Sequence, residues 1–264
     1  MVTKIIEFER PKLKNPVFVE GLPGIGNVGR IAAGYLVEEL KAKKFAELFS
    51  SHFMPFVLVQ DNSAVHVLKN EFYYWKAKEK NQRDLILLIG DSQSIDPEGH
   101  YEIVETILDY IKKFDVKDIF ALAGLSVGEE KEKPKVIGTV SDVGLIKRYE
   151  KYGIEFRSVG RVGTIVGASG LFVGLGKLKG MNGVCLLAET TGFPIIPDPK
   201  GAEAILNILT KILNLKIDTS RLKEKVREME ELMKKVEEVQ RRALGQLIAP
   251  PERQGKKEEL TYIG

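Results

Sequence analysis

The chain has 264 residues, 44% of them hydrophobic, and carries 40 Lys and Arg against 37 Asp and Glu for a net charge of +3. That length and apolar content suffice for one large α/β core with an appendage. The charges are of mixed sign rather than gathered in a basic stripe, which argues against a nucleic-acid partner, and no apolar run reaches the length of a membrane span.

In chain order, Met1 to Arg10 lacks the long apolar run and small-residue cleavage site of a secretory leader. A strand is predicted over 16–20, and it runs into Glu20-Gly21-Leu22-Pro23-Gly24-Ile25-Gly26-Asn27-Val28-Gly29-Arg30 before a helix over 28–41. Gly24-x-Gly26-x-x-Gly29 is the spacing of a dinucleotide-binding turn, in which backbone N–H groups and a helix N-terminus hold a pyrophosphate. The fuller pattern also needs an acid about 20 positions further on, at the end of the next strand. Here the next predicted strand is 55–60 and the first acid after it is Asp61, while Glu20 to Pro23 separates the strand from the glycines. The spacing therefore favours a close-packed strand-to-helix turn over a nucleotide cradle.

Residues 64–68 and 71–76 alternate in polarity and predict an antiparallel hairpin turning at Lys69-Asn70. Strands follow at 84–90, 118–123, 162–166 and 183–188, with helices at 98–114, 142–151, 169–178 and 201–214. Leu85 to Gly90 and Gly183 to Ala188 are continuous apolar runs, as in central strands buried on both faces. Ile103, Ile107, Leu108, Ile111 and Phe114 form one helical stripe. Gly167, Gly170, Gly174 and Gly176 surround Leu171 to Val173 and predict a helix lying close against a neighbouring backbone. The expected fold is a central, mostly parallel but mixed sheet flanked by helices, occupying residues 1–215. The one cysteine, Cys185, lies inside an apolar run; an intrachain disulfide is excluded and a reducing cytoplasm is expected. High Lys and Glu with few Asn, Gln and Cys resembles a thermophile's composition.

Residues 216–248 change character. Leu222, Val226, Met229, Met233 and Val236 repeat at alternating four and three spacing, the seam of a helix packing on another helix. Asp218 or Thr219 suits its cap. The seam fits equally a helix folded back on its own domain and one packed between subunits; a second, different helical subunit is a further occupant. Ala249-Pro250-Pro251 ends the helix, and residues 249–264 are a polar tether that turns apolar at Leu260-Thr261-Tyr262-Ile263-Gly264. A sticky end on a tether reads as a docking peptide, or as a frayed terminus.

Chemistry is sparse. His52, His66 and His100 have no ligand spacing, so neither a metal nor a cofactor is indicated. Glu20, Asp91 and Glu189 close predicted central strands, where α/β folds gather ligands, and acids there equally serve as caps and turn formers. A nucleotide- or nucleoside-binding enzyme centred on Glu20 to Gly29 is the alternative function.

Glu20 to Gly29, the strand ending Gly90-Asp91-Ser92-Gln93, the turn Ala123-Gly124-Leu125 and Gly183 to Pro197 resemble the PAC2 family of archaeal proteasome assembly chaperone homologues over roughly residues 10–215. Within this motif Gly21, Pro23, Gly24, Gly26 and Gly29 form the characteristic turn. The resemblance implies an α/β core similar to purine nucleoside phosphorylases, no catalysis and a homo-oligomer. It further implies a tail ending in a hydrophobic residue, a tyrosine and any residue, which inserts between α-subunits of the 20S proteasome. This chain departs in register, because Tyr262 is third from the end rather than second. Leu260, Tyr262, Ile263 and Gly264 are the expected docking residues.

Overall fold

The computed structural model describes residues 2–129, 131–156, 163–192, 197–222 and 224. Along them run β1 (Thr3–Glu7), β2 (Val17–Gly21), α1 (Val28–Glu39), β3 (Lys43–Ser50), β4 (Val57–Val59), β5 (Val65–Val67), β6 (Asn70–Trp75), β7 (Leu85–Gly90) and α2 (Pro97–Lys112). They continue with β8 (Asp118–Ser126), β9 (Val136–Val140), α3 (Ile146–Tyr149), α4 (Ala168–Leu178), β10 (Asn182–Thr190) and α5 (Pro199–Leu213). Eight strands form one mixed sheet in the order β1-β3-β6-β7-β2-β8-β10-β9. The central four, β7-β2-β8-β10, are parallel, and antiparallel strands extend the sheet on both sides.

Continuous apolar strands feed two cores at once, because successive side chains point to opposite faces. Val17 and Val19 face one core with α1 and α5, whereas Phe18 faces the other with α2 and α4. The second core holds an aromatic cluster in which Phe45 meets Phe72, Tyr74 and Phe114 edge-on at ring separations of 6.1, 5.9 and 5.5 Å.

The helices start where the backbone can be capped. Asp96 accepts from the Gly99 N–H at 2.7 Å ahead of Pro97, and Asp198 accepts from the Gly201 N–H at 2.9 Å ahead of Pro199. In both, the carboxylate satisfies an orphan donor and the proline sits where no donor is needed. At the far end of α5, Asn214 takes a left-handed conformation, φ 54°, and stops the helix.

Several expectations are corrected. The segment 55–60 does not enter the main sheet: β4 pairs with β5 alone, Val57 opposite Val67 and Val59 opposite Val65. The hairpin expected between 64–68 and 71–76 does not form either, because β6 pairs with β3 and β7. Both runs are strands, but β5 turns back on β4 across residues 60–64, and β6 finds its partners in β3 and β7. Residues 163–166 form no strand, with 162 outside the described residues, and 142–151 is broken into α3 and short 3-10 turns on either side.

β1, β3 and β9 are additions to the expected set. In β3, Glu47 receives Lys44 at 2.7 Å and Lys69 at 2.6 Å, and Lys44 also reaches Glu71 at 2.9 Å. This paired cluster lies on the sheet face that also carries Ile6 of β1 and Ile89 of β7, by cross-strand register.

Leu222 is buried in the core beside α1 and α5, so the first seam residue packs on its own domain. Just before it, the Tyr35 hydroxyl donates to the Asp218 carbonyl. Val226, Met229, Met233, Val236 and the whole of 249–264 lie outside the described residues. Among the described residues no helix is long and apolar enough to cross a membrane.

A Cβ at Gly29 would collide with the carbonyl of Leu122 on β8, whereas one at Gly174, exposed on α4, meets nothing within 4 Å. Gly29→Ala is expected to lower the unfolding free energy by about 3 kcal/mol or more, since backbone cannot step aside as a rotamer does. Gly174→Ala is expected to raise it by about 0.5–1 kcal/mol through helix propensity. Urea melts of the two variants test the contrast.

Candidate functional site

The carboxyl ends of β2, β7, β8 and β10 meet at the glycine turn. Gly21 ends β2 with no room for a side chain, because a Cβ there would strike the Gly29 carbonyl and Ala33. Pro23 turns the chain outward, and its carbonyl accepts from Gln93 Nε2 at 2.6 Å. The same Gln93 accepts from the Ala168 N–H at 2.9 Å through Oε1, tying the turn to the start of α4. Gly24 is exposed, and its carbonyl closes a turn by accepting from the Asn27 N–H at 2.9 Å. Gly26 takes φ 61°, a conformation that favours glycine, and its carbonyl accepts from the Asp198 N–H at 2.8 Å. Gly29 presses α1 against β8.

The turn is thus built inward. The spaces that glycine opens in a phosphate cradle are occupied here by Gly29, Ala33, Leu122, Thr190 and Asp198. Gly124 of β8 adds to this, since a Cβ there would collide with the Ile25 carbonyl.

The three strand-end acids go to separate tasks. Glu20 is fully buried and accepts from the Leu22 N–H at 2.8 Å. Burial pushes its carboxyl up to about 7, with the Leu22 N–H, the Ser169 hydroxyl and the Leu122 N–H opposing. Asp91 accepts from His66 Nε2 at 2.7 Å and from the Lys69 N–H at 3.1 Å. It therefore pins the β4–β5 ribbon to the end of β7. Glu189 accepts from the Lys135 N–H at 3.1 Å and so joins β10 to the approach of β9. Arg30 donates to the Gly90 carbonyl at 2.9 Å, fixing α1 to β7. Sequence reasoning found Glu20, Asp91 and Glu189 as strand ends but missed that Arg30, Gln93 and His66 tie the strand ends and the turn to their neighbours. Nothing in their spacing marks them, because each acts across more than 20 residues of chain.

The histidines have other partners. His52 Nδ1 lies 2.8 Å from Asp96, with Nε2 3.4 Å from Glu102, and His100 Nδ1 lies 2.9 Å from the Asp96 carbonyl. Among the described residues no group of three His, Cys, Asp or Glu side chains is arranged to hold a metal ion. Cys185 is buried, and burial next to Glu20 pushes its thiol well above the ordinary range, which suits packing rather than nucleophilic chemistry.

The model of the PAC2 family matches residues 18–237, which include the turn, most of both cores and the seam from Leu222 to Val236. The chain belongs to the PAC2 family. The archaeal proteasome activator PbaB of Pyrococcus furiosus has 45% identity and a TM-score of 0.80, covering 89% of this chain and 99% of its own. PbaA of the same organism, described as an archaeal homologue of proteasome-assembly chaperone, has 28% identity and a TM-score of 0.73, covering 92% and 99%. An uncharacterized protein of Methanocaldococcus jannaschii, MJ1210, is 35% identical over 264 residues, covering all of this chain and 98% of its own. For this PAC2 chain, the mixed eight-stranded sheet is the fold shared with those structures.

Glu20 has a thermodynamic consequence. Its folded-state pKa lies above the ordinary carboxylate value, so the native protein binds the proton more tightly than the unfolded chain does. Stability is therefore lost as pH rises from about 4.5 through about 7, by roughly 3 kcal/mol in total. His52 adds a smaller slope of the same sign: Asp96 raises its pKa, and that contribution, complete below 6.5, fades as pH rises through the raised value. Glu20→Gln is expected to remove the first slope, leave the second and raise stability above pH 7 in urea melts across pH 5 to 8. An unchanged slope would show that Glu20 is ionised in the folded protein.

Proposed function

We propose that this chain is a non-enzymatic, homo-oligomeric proteasome activator or assembly chaperone that docks on the α-ring of the 20S particle through Leu260, Tyr262, Ile263 and Gly264. The observation that carries the reading is the 45% identity to an archaeal proteasome activator over nearly the whole of both chains. Identity to the assembly-chaperone homologue is 28%, which weights the reading towards activation. The inward-packed glycine turn supports a body that acts as scaffold, because the Pro23, Gly24 and Gly26 carbonyls each accept from protein donors.

The two ends of the molecule divide the work. The α/β body sets the geometry, and the C-terminal segment carries the contact. In a homo-oligomer several tails engage together, and weak peptides gain affinity through effective concentration. With Leu222 committed to its own domain, the seam left for a neighbouring subunit begins at Val226. The apolar Leu260, Tyr262 and Ile263 supply a hydrophobic and aromatic anchor.

Deleting Leu260 to Gly264 is expected to abolish co-purification with 20S particles while leaving the mass of the free oligomer unchanged. Binding that survives the deletion would overturn the tail model. Nucleotides and nucleosides are expected to leave Tm unchanged, and a rise of several degrees with any of them would move the function to the strand-end loops.

A further inference from the structure

The foot of β10 carries the one Asn-Gly step in the chain, Asn182-Gly183. An asparagine followed by glycine is chemically labile, because no Cβ shields the next backbone nitrogen from the side-chain carbonyl carbon. Asn182 is exposed, so solvent reaches it and burial gives it no shelter.

Packing puts both residues there. A Cβ at Gly183 would lie 2.8 Å from the Val173 Cα, a backbone atom of α4 that cannot step aside. Asn182 Nδ2 donates to Asp118 Oδ1 at 3.0 Å. Asp118 is the buried first residue of β8, and it also takes Arg83 and, at 3.5 Å, Arg148. The same neighbourhood occupies the reacting groups. The Gly183 N–H donates to Ser141 Oγ at 2.9 Å, and the Ser141 N–H returns to the Gly183 carbonyl at 2.9 Å. The Asn182 N–H donates to the Lys117 carbonyl at 2.8 Å, so the asparagine is held by backbone as well as by its amide. Ser141 thus holds the attacking nitrogen, and Asp118 holds the leaving amide.

We propose that Asn182-Gly183 is a latent modification site, silenced by the Ser141 clamp and opened to deamidation when the β9 edge of the sheet frays. Ser141 directly follows β9, the last strand in the sheet order, and edges open before cores do. In the reaction a base takes the Gly183 N–H proton and the nitrogen attacks Asn182 Cγ. The bond from Cγ to Nδ2 breaks, ammonia leaves, and water opens the resulting succinimide to aspartate or isoaspartate. Either product takes the amide donor from Asp118 and sets a second carboxylate beside it. Isoaspartate also adds a carbon to the main chain of β10, which breaks its register of Asn182 with Asp118 and Gly183 with Ile119 on β8. The site is independent of the tail and its docking.

Incubating the full chain warm in mildly alkaline buffer, followed by peptide mapping by mass spectrometry, tests the clamp. Asn62-Ser63, exposed at the tip of the β4–β5 ribbon, is the internal reference. In the chain unfolded by guanidinium, Asn182 is expected to deamidate faster than Asn62. In the folded chain the order reverses, with Asn182 slowed at least about tenfold relative to the unfolded chain. Ser141→Ala, checked for folding by circular dichroism, is expected to raise the rate at Asn182 about fivefold, the worth of one hydrogen bond, and to leave Asn62 unchanged. The proposal is overturned if folded wild type loses Asn182 as fast as the unfolded chain does. It is equally overturned if the folded Ser141→Ala variant deamidates there at the wild-type rate.

Discussion

The approach of α1 to the sheet at backbone distance is the constraint on which the rest of the structure depends. Gly21 and Gly29 leave no atom between β2 and the first turn of the helix, and Gly29 in turn rests on the Leu122 carbonyl of β8. With α1 this close, the connecting residues 22–27 must fold outward and return within a few positions. The return uses the left-handed conformations of Gly26 and Asn27. That geometry exposes the Pro23 and Gly26 carbonyls to Gln93 and Asp198, which place α4 and α5. One pair of missing side chains thus sets the positions of three helices on both faces of the sheet.

Most of the body was legible because its periodicity is strong. β7 and β10 are continuous apolar runs, and α2 carries one clear apolar stripe. Their starts were less legible: α2 and α5 begin at Asp-Pro pairs ahead of the first stripe residue, a local cap that the apolar pattern does not register. β3 was missed for a different reason. Its Lys44 and Glu47 look like a solvated turn, and only their pairing with Glu71 on β6 and with Lys69 just ahead of it places them at the sheet. The β4–β5 ribbon illustrates the same limit, since alternation marks a strand but not its partner.

The candidate site was half legible. The wording of the glycine motif led to the family, which the match over residues 18–237 shows. Strand-end acids were likewise identifiable by position. Their uses were not, because a buried carboxyl such as Glu20 and a pinning one such as Asp91 read alike in sequence. The difference lies in their partners: Leu22 and Ser169 beside the first, His66 and Lys69 at the second. Pairings over tens of residues are set by tertiary packing, and one sequence carries no record of them.

Leu222 and the Tyr35 to Asp218 hydrogen bond carry a mechanical implication. A chain that leaves a domain through a free loop swivels at its root and passes on little force. Here the root is clamped, with Leu222 seated beside α1 and α5 and the preceding carbonyl held from α1. Any pull on the chain beyond residue 224 is delivered to α1, and through its glycine contact to the middle of the sheet. The load path therefore runs from Leu222 and Asp218 into the middle of the sheet rather than ending in a surface loop.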